Sequence, residues 1–177
     1  MGEDKAQLQI EGESLLQRGL NLLEVVGSDL ILLSGHEGKP LSVPDILPQC
    51  GPPGGLYACL EHFSNIGKLD DSPLLIIPVD MPKLNPEILQ NLLDNMPDQE
   101  GCHFEGEVFP CVVRASESLL KKLQQLFSES HELGGKRSMR AILEFCNSKQ
   151  ISKALSTEEV FRNINTPEDY KKALLNT

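Results

Sequence analysis

The sequence predicts one α/β domain built on a mostly parallel sheet. Short apolar runs of strand length alternate with longer segments in which apolar residues recur at helical spacing. Such alternation is typical of right-handed strand–helix–strand units, which place parallel strands side by side. At 177 residues the chain suits a single domain of ordinary size, and its sequence shows neither repeats nor low-complexity tracts.

The strongest strand signal is the apolar run at 74–79, which Asp80 follows. The run is too short for a buried helix and is flanked by turn formers, so it predicts a strand buried on both faces. A carboxylate at the carboxyl end of such a strand lies at the mouth of the ligand crevice and can hold Mg²⁺, which in turn holds phosphate oxygens. The alternative interpretation is that Asp80 only begins a turn, which Pro82 completes.

Before that run, the chain predicts a helix and two further strands. Residues 14–26 carry an apolar stripe at helical spacing, with Ser14 as the N-cap and Gly27 as the stop. Strands are then predicted over 30–33 and, shorter, over 41–43. The order of helix and strand fits right-handed α/β units.

A segment rich in proline and glycine separates those strands from the next helix. Residues 44–55 predict a loop of restricted shape, and residues 56–63 predict a helix. The Gly54-Gly55 pair at the helix start would let a ligand approach the backbone closely, and the free N–H groups there suit an anion. A plain loop that enters a helix is the alternative.

The second half of the chain predicts helices and one hairpin. Thr166 with Asp169 resembles a capping box, and Pro167 takes the first helical position. The hairpin would make the sheet mixed. The predicted elements are a helix capped by Asn85, strands over 102–105 and 108–115 joined by a turn at 105–107, a helix capped by Ser116, a short helix over 141–145, and a last helix to about Leu175.

Composition excludes several classes of protein. The formal net charge of −10 argues against a general nucleic-acid binder, so an anionic ligand must be held by local groups or by a metal. No apolar run reaches membrane-spanning length and no basic-then-apolar leader begins the sequence, so we expect a cytoplasmic protein. The five cysteines form no CxxC pair, which argues against a structural zinc site or a disulfide framework.

The common nucleotide-binding and hydrolase signatures are absent from residues 1–177. The sequence contains no P-loop, GxGxxG, GxSxG or HExxH motif, and nothing supports covalent catalysis by serine or cysteine. One cationic segment stands out in the acidic chain, at Lys136, Arg137 and Arg140. It predicts either a contact for an anionic ligand or a solvated face.

Six stretches follow one another in the order of a known set of motifs. They are MGEDK at 1–5, Asp45 with GPPGG at 51–55, PVDMP at 78–82, FP at 109–110, GKRSM at 135–139 and FRNINTPE at 161–168. The first is similar to the end of an LxGGxSxRMGxDK signature, and the last is similar to a closing FxNxNTPE. Together they resemble the molybdenum cofactor guanylyltransferase family.

The resemblance implies a nucleotidyltransferase with a Rossmann-like, three-layer α/β fold. In that family the terminal phosphate of molybdopterin, with or without molybdenum, attacks the α-phosphate of GTP, and pyrophosphate leaves. The resemblance assigns Mg²⁺ to Asp80 and makes Lys5 and Asp80 the catalytic residues. The implied nucleotide-binding residues are Lys5, Asp45, Gly51, Gly54, Gly55 and Asp80, and the implied contacts of the pterin phosphate are Lys136, Arg137, Arg140, Asn163 and Asn165. Bracing of the last helix is an equal alternative for Asn163 and Asn165.

The chain also departs from the family pattern. Residues 1–177 contain neither the family's first strand nor the LxGGxSxR part of its glycine loop. That strand would lie in the middle of the sheet, and the N–H groups of its loop would cradle the triphosphate. We therefore expect an N-terminally truncated form with little or no activity. Two alternatives are a transferase specific for CTP or a sugar phosphate, and a non-catalytic binding or regulatory protein that retains the fold.

Overall fold

The computed structural model describes residues 5–35, 38, 40–96, 98–128, 137–153 and 155–175. Two short 3₁₀ helices, Lys5–Gln7 and Leu155–Phe161, accompany the regular elements. The strands and helices are β1 (Gln9–Ile10), β2 (Glu13–Ser14), α1 (Leu15–Val25), β3 (Leu33–Ser34), β4 (Ser42–Val43), α2 (Gly51–Asn65), β5 (Pro73–Ile76), α3 (Pro86–Asp94), β6 (Gly101–Phe104), β7 (Cys111–Arg114), α4 (Glu117–Ser128), α5 (Met139–Phe145), β8 (Lys149–Ile151) and α6 (Pro167–Leu175).

The main sheet is mixed. Its four strands follow the order β5–β7–β6–β8, in which β7 is antiparallel to both of its neighbours and β6 is parallel to β8. Strands β5, β6 and β8 therefore run in the same direction, and their carboxyl ends meet at one edge of the sheet. The predicted hairpin is the β6–β7 pair, so both the hairpin and the mixed sheet are confirmed.

Two small sheets complete the strand pairing. Strands β1 and β2 form an antiparallel hairpin, and β3 pairs in parallel with β4. Within the described residues, β5 is an outer strand of the main sheet and pairs only with β7. Its residues Leu74 to Ile76 are half-buried, so the prediction of a strand buried on both faces was wrong. An outer strand keeps one edge open to solvent, whereas the central strands β6 and β7 are buried.

The sheet is covered on both faces. Alternate residues of β7 point to opposite sides, because side chains alternate along a strand. Cys111 and Val113 pack with α2, α4 and α5, whereas Val112 packs with α3 and the second 3₁₀ helix. This arrangement has the three layers that the resemblance implied.

Helix starts agree with the sequence where a side chain caps them. Ser14 accepts a hydrogen bond from Gln17 N, and Asn85 accepts one from Ile88 N. Ser116 likewise caps α4 through Leu119 N at 3.1 Å. Each cap satisfies a backbone donor that has no partner inside the helix.

The capping box at α6 is confirmed. Asp169 Oδ2 accepts hydrogen bonds from Thr166 N at 2.9 Å and from Thr166 Oγ1 at 2.8 Å. Asp169 N donates in return to Thr166 Oγ1 at 3.1 Å. The two bonds from Thr166 to the carboxylate, with one from Asn165 N, lower the pKa of the Asp169 carboxyl below its ordinary value.

The structure differs from the sequence prediction at a loop, at a strand and at a strand that was not predicted. Residues 51–55 form the first turns of α2 and are not a loop, because proline suits the first helical turn, where its missing N–H has no role. Only Leu33 and Ser34 form a strand where 30–33 was predicted. Strand β8 was missed, because its sequence, Lys149-Gln150-Ile151, lacks an apolar pattern and lies mostly exposed.

None of the five cysteines forms a disulfide bond. Cys102, Cys111 and Cys146 are buried, and Cys50 and Cys59 are half-buried. Among the described residues, no helix is both long enough and apolar enough to cross a lipid bilayer.

Candidate active site

Asp80 lies in the turn that follows β5, at the edge where the parallel strands end. Its side chain is 19% exposed, and its backbone carbonyl accepts a hydrogen bond from Ile164 N at 2.8 Å. The turn that the alternative interpretation predicted is therefore present. That turn also carries the carboxylate to the edge of the sheet where α/β proteins bind ligands.

Lys5 reaches Asp80 from the first 3₁₀ helix. Its Nζ lies 3.2 Å from Asp80 Oδ2 and donates a hydrogen bond of 2.8 Å to Asn165 Oδ1. The neighbouring Ala6 is fully buried, which fixes the backbone from which the lysine extends. The fold thus brings Lys5, Asp80 and Asn165 together from the beginning, the middle and the end of the chain.

Asn165 is held by the segment that leads into α6. Its N–H donates to Asp169 Oδ2 at 3.1 Å, so the cap of α6 also fixes the backbone of Asn165. The preceding Ile164 is 2% exposed and packs in a small core with Ile10 and Leu15. Asn163 is exposed to solvent. Asn165 therefore contacts Lys5 and leads into the last helix, whereas a contact of Asn163 or Asn165 with the pterin phosphate stays a prediction.

Asp45 belongs to a second group of residues, at the junction of β3 and α2. Ser34 Oγ donates to Asp45 Oδ1 at 3.4 Å, and a β-carbon added at Gly35 would lie 3.7 Å from Asp45 Oδ2. A β-carbon added at Gly55 would collide with Ser34 Oγ. The structure thus brings both Asp45 and Gly55 close to Ser34, a residue that sequence reasoning missed.

The other glycines at the start of α2 sit in confined or unusual positions. Gly51 has a left-handed φ of +58°, which favours glycine. A β-carbon added at Gly54 would lie 2.6 Å from Cys50 Cβ, too close for a real side chain. Burial, with a smaller contribution from the Asp45 charge, raises the pKa of the nearby Cys59 thiol to about 11, so this thiol stays protonated.

Within the described part of the cationic segment, Arg137 lies against α4. The Arg137 guanidinium stands 5.5 Å from the centre of the Phe127 ring, and Arg140 is exposed on α5. Burial lowers the pKa of His103 in β6, and the Arg140 charge lowers it further. Lys136 lies outside the described residues. A role of this segment in binding the pterin phosphate stays a prediction.

Two further ion pairs follow the parallel strands at the same edge as Asp80. Lys83 Nζ lies 2.8 Å from Glu159 Oε2, and Lys153 Nζ lies 2.8 Å from Glu107 Oε1. Sequence reasoning missed both pairs, although each lysine comes shortly after a strand, at a position that topology places on this edge. The carboxyl edge of the sheet therefore carries several lysines, each already paired with a carboxylate.

Replacing Gly55 with alanine should lower the free energy of unfolding by about 1–3 kcal/mol, the range for an overfilled site. The added methyl group would collide with Ser34 Oγ and would lie 3.1 Å from Ser34 Cβ. The double variant Ser34→Ala, Gly55→Ala removes the colliding oxygen and should recover part of the loss. Urea denaturation measures all three chains.

Gly19→Ala is the matched control for this prediction. A β-carbon there would lie 3.7 Å from Ile77 Cδ1, an ordinary contact, and the residue lies within α1. Because alanine is the better helix former, we expect Gly19→Ala to be neutral or to stabilise the chain by up to about 1 kcal/mol. If Gly55→Ala is as stable as Gly19→Ala, there is no tight contact between α2 at Gly55 and β3 at Ser34.

Comparison with known proteins shows the family of the chain. Residues 1–152 match the model of the MobA-like NTP transferase domain. The chain is 30% identical over 175 residues to a molybdenum cofactor guanylyltransferase of Xanthomonas euvesicatoria pv. vesicatoria, covering 98% of this chain and 87% of that relative.

Solved structures show the same fold. Molybdopterin-guanine dinucleotide biosynthesis protein A from Archaeoglobus fulgidus superposes with a TM-score of 0.65 at 20% identity, over 99% of this chain and 91% of that one. The 2-C-methyl-D-erythritol 4-phosphate cytidylyltransferase of Thermus thermophilus gives 0.66 at 15% identity, over 99% and 94%. The three-layer fold, the lysine–aspartate contact at its carboxyl edge and the match over most of the chain lead to one conclusion: the chain belongs to the MobA-like NTP transferase family and is a nucleotidyltransferase.

Proposed function

We propose that the chain transfers GMP from GTP to the terminal phosphate of molybdopterin, with or without bound molybdenum, and releases pyrophosphate. The observation that carries the proposal is the convergence of Lys5, Asp80 and Asn165 at the carboxyl edge of the sheet. Similarity over nearly the whole chain to a protein named molybdenum cofactor guanylyltransferase supports the choice of substrates.

The oxygen donors at this point suit a divalent cation. Asp80 Oδ2 and Asn165 Oδ1 both lie within 3.2 Å of one ammonium group, so they converge on a single positive centre. Carboxylate and amide oxygens are hard donors, and Mg²⁺ is commonly held by one or two carboxylates together with phosphate oxygens and water. Among the described residues, no cluster of three or more His, Cys, Asp or Glu side chains could hold a metal. Asp80, with Asn165 beside it, would therefore hold Mg²⁺, and phosphates and water would supply the other oxygens.

The residues of the chain act in this reaction mainly by position and charge. The acceptor phosphate oxygen forms a bond to the α-phosphorus, the bond from that phosphorus to the bridging oxygen breaks, and its electron pair leaves with pyrophosphate. Lys5 holds the phosphate chain, and Asp45 with the start of α2 borders the nucleotide. Bound at Asp80, the metal would neutralise charge that develops on the phosphates. Such chemistry needs no covalent nucleophile.

Nucleotide choice is tested by thermal shift with GTP, CTP or UTP in the presence of Mg²⁺. We expect GTP to raise the melting temperature most, because a ligand that binds only the folded state stabilises it. Mass spectrometry then detects the guanine dinucleotide formed from GTP and molybdopterin. A larger shift with CTP would favour a cytidylyl transferase. A folded chain that no nucleotide stabilises would favour a non-catalytic binding protein.

A further inference from the structure

The Lys5 ammonium group contacts two side-chain oxygens at the same time. Its ammonium lies 3.2 Å from Asp80 Oδ2 and 2.8 Å from Asn165 Oδ1. The first oxygen belongs to the turn after β5, and the second belongs to the segment before α6. Two hard oxygens directed at one positive centre form part of a cation site, and at present the lysine supplies the cation.

The two oxygen donors are anchored without help from Lys5. The Asp80 carbonyl accepts from Ile164 N at 2.8 Å, and Asn165 N donates to Asp169 Oδ2 at 3.1 Å. Ile164 itself is 2% exposed and fixed in a small core. The Lys5 side chain, in contrast, is 33% exposed, and its ammonium group lies at the end of a flexible chain of four carbons. The ammonium, and not the oxygens, is therefore the part that can leave.

We propose that the Lys5 ammonium and a divalent cation exclude each other at the Asp80 and Asn165 oxygens, so that the lysine holds the place of the ion. Two positive centres in contact with the same carboxylate oxygen repel each other, so the ion enters only when the lysine turns away. The inference rests on the proposed function in one respect, which is that a nucleoside triphosphate is the anion that would bind Lys5 and draw it away from these oxygens.

Mutual exclusion has a thermodynamic consequence. An anion that takes up the Lys5 ammonium raises the affinity of the site for the cation, and the bound cation raises the affinity for that anion by the same factor. The site thus favours metal and phosphates together over metal alone. Lys5 is in this sense a positioning residue that couples the binding of the two ligands.

Lys83 provides a matched comparison. Its ammonium pairs with Glu159 at 2.8 Å, its side chain is 30% exposed against 33% for Lys5, and it follows Asp80 closely in the chain. Replacing either lysine with methionine changes the net charge equally. Only the Lys5 substitution removes a cation from the Asp80 and Asn165 oxygens, so the general electrostatic effect can be separated from the local one.

The test measures the binding of Mn²⁺ alone, by the loss of the free-ion electron paramagnetic resonance signal. Lys5→Met should bind Mn²⁺ roughly two- to fivefold more tightly than the unchanged chain, the range expected for releasing one partly exposed ion pair. Lys83→Met should change the affinity by less than about twofold. Adding Asp80→Asn to Lys5→Met should abolish the gain.

The outcomes separate this inference from the proposed function. Equal gains for Lys5→Met and Lys83→Met, or no gain at all, would overturn the exclusion. Circular dichroism checks that each variant is folded, and Lys5→Gln serves as a second neutral variant. GMP transfer by the unchanged chain is measured independently. Transfer without a gain specific to Lys5 counts against the exclusion alone, and a gain specific to Lys5 without transfer supports the exclusion and counts against the proposed function alone.

Discussion

Replacing Asp80 with asparagine should reduce the single-turnover rate of GMP transfer by about 100- to 1000-fold, the usual effect of removing one preorganised electrostatic group. Asparagine keeps the shape of the side chain but removes its charge, and with it the proposed grip on the metal. Because the side chains of Lys5 and Asp80 are 33% and 19% exposed, loss of their ion pair should change the free energy of unfolding by no more than about 1 kcal/mol. Rapid quench with the chain in excess over GTP measures the rate.

Glu159→Gln is the control for the Asp80 substitution. Glu159 is a carboxylate of the same edge, it pairs with Lys83 at 2.8 Å, and it is 55% exposed. Its neutralisation alters the net charge as Asp80→Asn does, and we expect the transfer rate to stay within about twofold, since exposed charges are largely screened. If Asp80→Asn keeps a tenth or more of the transfer rate and the rate depends on metal as before, the metal binds at another site.

Local features of the fold could be predicted because neighbouring residues determine them. Ser14, Asn85 and Ser116 cap helices through bonds to backbone groups only three residues away, so their sequence pattern suffices. The capping box at Thr166 and Asp169 is equally local. Features of this kind depend little on the rest of the chain.

Features set by distant neighbours could not be read in the same way. The apolar run of β5 indicated a strand, but burial depends on how many strands flank it, and the described sheet places one beside it. Residues 51–55 looked like a loop by composition, yet they form helix, and the small size of Gly55 suits the close approach of Ser34. Tertiary contact here overrides local propensity.

The candidate site shows the same division. The resemblance indicated Lys5 and Asp80 one by one, and nothing in the sequence said that an ammonium would bridge Asp80 and Asn165. Along the chain, Lys5 is 75 residues from Asp80 and 160 residues from Asn165, so the contact depends on the fold of the whole domain. Ser34 gave no signal beyond its place at the end of a short strand.

Replacing Phe161 with alanine should lower both the stability of the chain and its rate of GMP transfer. Phe161 is 7% exposed, and its ring centre lies 5.0 Å from that of the buried Phe104. Truncation of a buried phenylalanine typically lowers the free energy of unfolding by about 3–5 kcal/mol, which urea denaturation at low temperature would measure. Phe161 also ends the 3₁₀ helix just before Ile164, whose N–H holds the Asp80 carbonyl at 2.8 Å. The loosened segment should therefore reduce GMP transfer about tenfold per folded molecule, since misplacement of catalytic groups is costly.

Phe63→Ala separates the two consequences of losing Phe161. Phe63 is also 7% exposed, but it packs in the core on the opposite face of the sheet, near the end of α2. We expect a similar loss of stability from either substitution, because both remove a buried ring of the same size. Under conditions in which both variants are folded, only Phe161→Ala should lower the transfer rate. Of the two rings, Phe161 is the one next to residues 162–165, the segment that contains Asn165 and hydrogen-bonds the Asp80 carbonyl. Equal rates in the two variants would mean that this segment keeps its position without Phe161, and that the hydrogen bond from Ile164 to Asp80 does not depend on the core beneath it.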